Sequence, residues 1–126
     1  MIAIPIDEPK ATIISELYGN APYFALVDES GEVSIIENLE CGSGPKSANF
    51  LKTKGVTSTA FLHMGEGVYN TFIKNGITVY SVEKTPYTID TIYSKLKDNS
   101  LIKLTDDNYD QLLDAGATGS CKCGCN

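Results

Sequence analysis

Short apolar runs of the kind that form β-strands dominate the first third of the chain. Residues 2–6 (IAIPI) form one such run, which stops at Asp7. Two more runs rich in β-forming residues, 23–27 (YFALV) and 33–38 (VSIIEN), flank the segment DESGE, in which Gly31 can supply the positive φ of a hairpin turn. The pattern predicts that these two strands pair in an antiparallel hairpin.

Three helical segments with apolar residues on one face follow the hairpin. The first is predicted to begin at Pro45, which suits the first position of a helix, and to end at Gly55. The second follows the glycine-containing stretch HMGEG and places Val68, Phe72 and Ile73 on one side. The third has apolar residues at the spacing i, i+3, i+4 and i+7, namely Ile89, Ile92, Tyr93 and Leu96.

Two further strands are predicted at 56–62 (VTSTAFL) and 77–82 (ITVYSV). They enclose the second helix, and because crossover connections are right-handed, they are expected to lie parallel in one sheet. A short fourth helix is predicted to begin at Thr105, whose side chain can cap it. Residues 117–126 show no apolar periodicity and are expected to form a flexible tail, so the predicted α/β domain covers residues 1–116.

Composition and charge indicate a soluble, cytoplasmic protein with one domain, since 126 residues, 42% of them hydrophobic, suffice for one core. Sixteen Asp and Glu against ten Lys and Arg give a formal net charge of −6, which argues against binding to nucleic acid or to an anionic membrane surface. Neither a signal peptide nor a membrane span is predicted, because no basic leader and no run of about 18 apolar residues occurs. In the cytoplasm clustered cysteines bind metals or undergo redox reactions more often than they form structural disulfides.

Three of the four cysteines, Cys121, Cys123 and Cys125, lie close together near the end of the chain. Thiolates are soft ligands that select Cu(I), Zn²⁺ or the iron of iron-sulfur clusters. In an extended strand alternate cysteines would stand about 6.6 Å apart, whereas Zn–S bonds of about 2.3 Å need sulfur atoms about 4 Å apart, so the segment must curl around an ion. Gly124 makes such a curl possible. A tail whose thiols bind nothing is the alternative.

Cys41, in the segment ECGSGP, is a candidate fourth ligand for the tail. Three thiolates leave Zn²⁺ or an iron-sulfur cluster one ligand short. The thiol of Cys41 is expected to be partly exposed, because it lies in a glycine-flanked loop after the third strand. The alternative is a small buried side chain that binds nothing, since free cysteines are among the most buried residues.

Several ordered motifs along the chain resemble one known family. They are the opening IAIP, the segment SELYGNAPYF (residues 15–24), the glycines around 42–45 and the segment HMGEGVYNTFIKNGITVY (residues 63–80). Together they resemble the NifX/NifB type of dinitrogenase iron-molybdenum cofactor biosynthesis domain. The resemblance implies a ribonuclease-H-like α/β fold, in which helices cover both faces of a five-stranded mixed sheet. It also implies that the protein binds or carries an iron-sulfur or iron-molybdenum type cluster without catalysis, with cluster-assembly or acceptor proteins as partners.

His63, the only histidine, is predicted to end the fourth strand shortly before Gly65 and Gly67. Ligands of open α/β sheets collect beyond the carboxyl ends of strands, and glycines there let backbone N–H groups approach an anion at the start of a helix. His63, Gly65 and Gly67 are therefore candidate contacts for an anionic cluster, together with Cys41. The alternative is a histidine whose ring is satisfied by a neighbouring carbonyl group.

Two catalytic alternatives are disfavoured. A nuclease of ribonuclease-H type needs converging carboxylates to hold Mg²⁺ ions, but the fourth strand contains none and the net charge opposes nucleic acid. Cys41 and His63 could form a nucleophile and its base, but no residue can be assigned to orient them. The sequence therefore predicts a non-catalytic carrier or assembly protein for a metallocluster. The alternatives are a protein that stores or delivers copper, zinc or iron through its CxCxC tail, and a metal-free module for protein interactions.

Overall fold

The chain folds into a mixed β-sheet with helices on both faces. The computed structural model describes residues 1–16, 18, 21–39, 44–82, 85–105 and 107–109. Within these residues six strands are found, β1 (Ile2–Ile6), β2 (Tyr23–Val27), β3 (Val33–Glu37), β4 (Ser58–Phe61), β5 (Thr78–Ser81) and β6 (Ile102–Lys103). The same residues contain three helices, α1 (Gly44–Thr53), α2 (Glu66–Lys74) and α3 (Ile89–Lys97).

The strands follow the order β3-β2-β1-β4-β5-β6 across the sheet. β1, β4 and β5 are parallel to one another, whereas β2, β3 and β6 pair antiparallel with their neighbours. The predicted hairpin of β2 and β3 is confirmed, and Gly31 in its turn has a φ of 88°. The predicted parallel pairing of β4 and β5 is confirmed as well.

The expected number of five strands is wrong by one, because β6 adds a sixth. Ile102 pairs with Ser81 and Lys103 with Tyr80 at the outer side of β5. A strand of two residues is too short to produce an alternating pattern, and its pairing depends on the neighbouring strand more than on its own sequence.

Side chains on the two faces of the sheet form two separate cores. Alternation along β1 sends Ala3 to one face and Ile2, Ile4 and Ile6 to the other. Helices α1 and α2 cover the first core, and α3 covers the second with Ile92, which is fully buried. Every residue of β1 is buried, which is the expected state of a strand at the centre of a sheet covered on both faces.

The buried faces of the helices agree with the sequence pattern in α3 but only partly in α2. In α3 the four predicted apolar positions are all buried or half-buried. In α2, Phe72 is buried and Val68 half-buried as predicted, but Ile73 is 47% exposed and Tyr69 is buried instead. Consecutive helical residues are rotated by about 100°, so a buried face that contains Tyr69 and Phe72 leaves Ile73 beside it in solvent.

The carboxyl ends of β1, β4 and β5 lie at one edge of the sheet, which we call the carboxyl edge. β3 also ends there, because it is antiparallel to β2 and therefore runs in the direction of β1. Each helix follows a strand that ends at this edge, so α1, α2 and α3 all begin there.

Several sequence predictions concern residues beyond the described ranges. They include the loop position of Cys41, the whole of residues 117–126, and most of the helix expected after Thr105. Thr105 does begin a turn, in which its carbonyl oxygen accepts the N–H of Tyr109 at 3.1 Å. Among the residues that the structure describes, no helix has the length and apolar character needed to cross a membrane.

Candidate functional site

The connection between β4 and α2 brings together three of the predicted site residues. His63 and Gly65 lie in the link between the two elements at the carboxyl edge, and Gly67 is the second residue of the helix. His63 is half-buried. Gly65 precedes α2 with φ −82° and ψ 160°, and its carbonyl oxygen accepts the N–H of Tyr69 at 3.1 Å. This connection is the part of the predicted site that the structure places.

Neither glycine is required by the backbone conformation of this connection. The φ of Gly65 is negative, and Gly67 does not have a positive φ either. A Cβ atom at Gly67 would meet no atom within 4 Å, and no side chain caps the start of α2. Gly67 therefore adds no side chain to the first turn of α2, and the N-cap residue supplies no side-chain bond to the N–H groups of that turn.

Tyr18 fixes this connection to the core of the sheet. Its backbone N–H donates to the carbonyl oxygen of His63 at 3.2 Å. Its hydroxyl oxygen lies 2.5 Å from Oγ1 of Thr59 on β4, which in turn lies 2.8 Å from the carbonyl oxygen of Ala3 on β1. Because the single hydroxyl proton of Thr59 is donated to Ala3, Tyr18 is the donor in the bond to Thr59.

The ring of Tyr18 is fully buried, and burial keeps its hydroxyl protonated. The ring packs edge-on against Phe72 with centroids 5.3 Å apart, and at a tilt against Phe24 with centroids 5.6 Å apart. Burial raises the pKa of the Tyr18 hydroxyl far above its ordinary value, and the hydrogen bond to Thr59 offsets only part of this rise. Tyr18 is therefore a neutral residue that positions the segment through its hydrogen bonds.

Two further polar contacts fix the chain at the carboxyl edge. Asn38, buried directly after β3, donates its backbone N–H to the carbonyl oxygen of Pro22 and its Nδ2 to that of Ala21, each at 2.8 Å. Ser15 donates its hydroxyl proton to Oδ1 of Asp7, directly after β1, at 2.7 Å. These bonds set the points at which the chain leaves β1 and β3.

The amino-terminal ends of α1 and α2 contribute partial positive charge to the carboxyl edge, where Asp7, Glu37 and Glu66 contribute negative charge. The two helices are in contact on the same face of the sheet and point in the same direction. The aligned peptide dipoles of a helix place about half a positive charge at its amino-terminal end. The first turn of α1 contains no acidic residue and includes the exposed Lys46, whereas that of α2 includes Glu66. The arrangement favours an anionic ligand in a chain whose formal net charge is −6.

A preformed metal centre is absent from the part of the chain that the structure describes, where no three His, Cys, Asp or Glu side chains are grouped to hold an ion. In the same part, every buried side-chain polar atom has a hydrogen-bond partner. A cavity of about 300 Å³ lies at the opposite end of the sheet, lined by residues that include Met1, Val27, Thr57, Tyr93 and Lys97. This cavity is separate from the connection between β4 and α2.

All four cysteines of the chain lie outside the described residues, so their roles as ligands stay predictions. The residue that the sequence analysis missed is Tyr18, although the segment that contains it is one of the family-like motifs. The available signal was Thr59 on β4, because a threonine on a strand in the middle of a covered sheet has a buried hydroxyl that needs a hydrogen-bond partner. The identity of that partner, 41 residues away, could not be read from the pattern.

The sequence matches the profile of one protein family. The family is described as dinitrogenase iron-molybdenum cofactor, and the match covers residues 1–99. No curated protein matches the chain.

Three solved structures have a similar fold. The NMR structure of a candidate NifB protein from Thermotoga is 29% identical, with a TM-score of 0.68 over 82% of this chain and 92% of that chain. The apo form of the orange protein from Desulfovibrio gigas is 19% identical, with a TM-score of 0.73 over 82% and 92% of the two chains. A candidate dinitrogenase from Methanocaldococcus jannaschii is 22% identical, with a TM-score of 0.63 over 82% and 93%. The fold is therefore shared with each protein over most of its length.

Proposed function

Because the chain belongs to the dinitrogenase iron-molybdenum cofactor family, we propose that it binds an iron-sulfur or iron-molybdenum type metallocluster at the carboxyl edge and carries it between proteins. The cluster is cargo, and the protein is not an enzyme. Assembly and acceptor proteins in the cytoplasm are the partners that this role requires. The ribonuclease-H-like fold expected of the family is supported by a mixed sheet with helices on both faces.

The observation that supports this site best is the start of α2 beside His63, which has no side-chain cap and open space at Gly67, at the edge where α1 also begins. Metalloclusters of this type carry negative charge, and hydrogen bonds to their sulfur atoms tune their properties. The N–H groups and partial positive charge of two neighbouring helix ends favour such an anion. The absence of a side chain at Gly67 leaves space for the cluster to approach the backbone.

In this proposal two side chains ligate the cluster and the backbone supports it. The imidazole of His63 binds an iron atom, for which histidine is a suitable ligand. Cys41 provides a thiolate, since Asn38 before it and the start of α1 after it both lie at the carboxyl edge. Two protein ligands leave other positions of the cluster open to an acceptor, which suits a carrier that must release its cargo.

The sequence of the tail supports a second candidate function, the storage or delivery of a soft metal ion. Cys121, Cys123 and Cys125 are thiolate ligands for Cu(I), Zn²⁺ or iron, and this role does not require the carboxyl edge. Anaerobic purification followed by metal and acid-labile sulfide analysis separates the functions. Iron with sulfide supports cluster carriage, and copper or zinc without sulfide supports the tail alone. A protein that holds neither metal nor sulfide, and binds none when they are supplied, is a metal-free module and contradicts both.

A titration with a preassembled iron-sulfur cluster tests the position of the site. The cluster is added anaerobically to the apo protein and to the variants His63→Ala and Cys41→Ser. Lys74→Ala is the matched control, because Lys74 is exposed in the last turn of α2, far from the carboxyl edge. We expect weaker binding in the first two variants and unchanged binding in the control. Equal affinity in all four proteins would show that the cluster binds elsewhere.

A further inference from the structure

The outer side of β3, which we call the β3 edge, is a border of the sheet. β3 is the first strand in the order β3-β2-β1-β4-β5-β6, and among the described residues no strand pairs with its outer side. We propose that the β3 edge binds an extended segment of another protein, which pairs antiparallel with β3 as a further strand. The segment that fits has apolar residues at alternate positions and basic residues beside them. The inference goes beyond the proposed function, because it uses none of the proposed cluster ligands.

Hydrogen bonds at the two ends of the hairpin fix how β3 pairs with β2. Asp28 donates its N–H to the carbonyl oxygen of Glu32 at 3.1 Å, and Asn38 donates its N–H to that of Pro22 at 2.8 Å. Between these ends the register of the two strands is unbroken. In an antiparallel pair, directly opposed residues alternate between those that exchange hydrogen bonds and those that do not. Both ends therefore assign the hydrogen bonds to the same set of alternate residues.

The alternation decides which backbone groups of β3 face outward. Ser34 and Ile36 belong to the set that exchanges hydrogen bonds with β2. The N–H and C=O groups of the residues between and beside them point away from β2, namely those of Val33, Ile35 and Glu37. Outward donors and acceptors at alternate positions are what an added antiparallel strand needs for its own hydrogen bonds.

The β3 edge also has exposed apolar side chains. Val33 is 43% and Ile35 39% exposed, and Leu39, shortly after the strand, is 70% exposed. In the described part of the chain, the other large hydrophobic side chains with comparable exposure are Ile13 and Ile73. Opposed residues of neighbouring strands have their side chains on the same face of a sheet. Apolar residues of an added strand therefore cover the exposed side chains of β3 when they lie opposite to them.

β3 lacks the features by which natural proteins usually prevent pairing at an edge strand. Such features are lysine or proline residues in the strand and β-bulges that twist it away. The five residues of β3 (VSIIE) include neither lysine nor proline, and all of them pair with β2 without a bulge. The β3 edge is therefore regular and open to a further strand over its whole length.

Charge selects a basic segment over a second copy of the chain. Residues 28–37 include four acidic residues and no basic one, namely Asp28, Glu29, Glu32 and Glu37. Two copies paired through β3 would bring two such acidic segments together, and this repulsion opposes self-association. A basic residue directly opposite Glu37 instead forms a favourable cross-strand pair. The acidic residues therefore favour a basic partner and act against the competing self-pairing.

Hydrogen exchange measured by NMR in the presence of a peptide tests the proposal. The probe is the capped synthetic peptide Thr-Lys-Thr-Val-Thr-Val-Lys, which in antiparallel pairing places its valines opposite Ile35 and Val33 and its first lysine opposite Glu37. We expect the peptide to slow exchange of the N–H groups of these three residues, because they face outward. The N–H groups of Ser34 and Ile36 already bond to β2 and should change little.

Two variants and a control test the contacts by titration with the same peptide. Glu37→Lys should weaken binding by at least about fivefold, which corresponds to one cross-strand charge pair. Ile35→Pro removes an outward N–H but no bond to β2, and should weaken binding by at least about tenfold. The matched control is Asp107→Lys, which makes the same charge change at an exposed position after β6, on the opposite side of the sheet, and should bind like the parent. Circular dichroism identifies a loss of fold, and Glu37→Lys keeps the test valid if Ile35→Pro unfolds.

Three outcomes would overturn the inference. They are equal affinity in the parent and Glu37→Lys, protection that does not alternate along β3, and outward N–H groups that are already protected in the protein alone. In the last case, a dependence on protein concentration would identify a second copy as the occupant, and its absence another part of the same chain. None of these outcomes affects cluster binding. Alternating protection in a protein that takes up no iron-sulfur cluster would uphold the inference and refute the proposed function.

Discussion

Tyr18 donates its buried hydroxyl proton to Thr59, and Thr59 donates its own hydroxyl proton to the carbonyl oxygen of Ala3. Tyr18, at one end of this series of hydrogen bonds, also donates its backbone N–H to His63. Ala3, at the other end, lies on the central strand β1. The candidate site is therefore connected to the most buried part of the sheet by a short series of polar contacts. Neutral hydroxyl groups carry these contacts, so no charge is buried.

A double-mutant cycle tests this connection. We expect Tyr18→Phe to lower the free energy of unfolding by about 1 kcal/mol, since the ring stays and one hydrogen bond is lost. Thr59→Val should lower it by about 1–3 kcal/mol, because it leaves two buried groups without a partner. The double variant should lose less than the sum of the two, measured by urea unfolding. Strict additivity would mean that the two hydroxyl groups do not interact.

Gly67→Ala separates stability from binding at the start of α2. The added methyl group meets no atom within 4 Å, and alanine is a better helix former than glycine. We therefore expect the variant to be more stable by up to about 1 kcal/mol in thermal or urea unfolding. The same methyl group should weaken binding of an iron-sulfur cluster if the cluster approaches the N–H groups of this turn. Gain of stability with unchanged cluster affinity would exclude that approach.

Asp28 in the turn of the hairpin predicts a pH dependence of stability. Its carboxylate accepts the hydroxyl proton of Ser30 and the N–H groups of Glu32 and Ser30, and these bonds lower its pKa below the ordinary value. Because the pKa of Asp28 is lower in the folded state, its ionised form stabilises the fold at pH values above the ordinary aspartate pKa of about 4. This stabilisation is lost as the pH falls through the pKa of the folded state.

The measurement compares the urea midpoint of the parent with that of Asp28→Ala across this pH range. We expect the parent to be more stable near neutral pH and the difference to shrink below about pH 4. Ser30→Ala removes one of the donors and should reduce the pH dependence only in part. A difference that stays constant down to the lowest pH would show that the ionised form of Asp28 has no preferential role.

Shortening the chain after Gly116 should leave the metal-free domain stable, with a change in unfolding free energy within about 0.5 kcal/mol. The described elements all end before this point. In contrast, Tyr109→Ala should cost about 0.5–1.5 kcal/mol through the lost stacking on Tyr69, beyond the loss of buried area. Differential scanning calorimetry of both proteins without metal provides the comparison. A larger loss from the truncation than from Tyr109→Ala would mean that the tail packs on the core even without a metal ion.

Local signals in the sequence predicted those parts of the fold that depend on local physics. Gly31, in the predicted hairpin turn, and Gly55, at the predicted end of the first helix, both have a positive φ. Alternation and helical periodicity gave the hairpin, the parallel pair and the buried face of α3. The same signals predicted the positions of His63 and Gly65, because a strand followed by a glycine-containing turn and a helix places the turn at the edge of the sheet where the strand ends.

The remaining features depend on contacts between distant residues, which a single sequence does not display. β6 forms by pairing with the outer side of β5. The packing of Tyr69 into the core sets the rotation of α2 about its axis and leaves Ile73 exposed. The partner of Tyr18 lies on another strand. All four cysteines lie outside the described residues, and local patterns contain no information about where they lie relative to the carboxyl edge.

The central position of β1 also affects the protein during its synthesis. β2 and β3 leave the ribosome soon after β1 and can pair with one side of it, but Thr59, which pairs with Ala3 on the other side, is made 56 residues later. At translation rates of about 5–20 residues per second, the apolar strand IAIPI keeps one side unpaired for roughly 3–11 seconds. Unpaired strand edges of this kind are where nascent chains associate with one another. Association of nascent chains is therefore favoured most before β4 has left the ribosome, while residues 2–6 lack one of their two neighbouring strands.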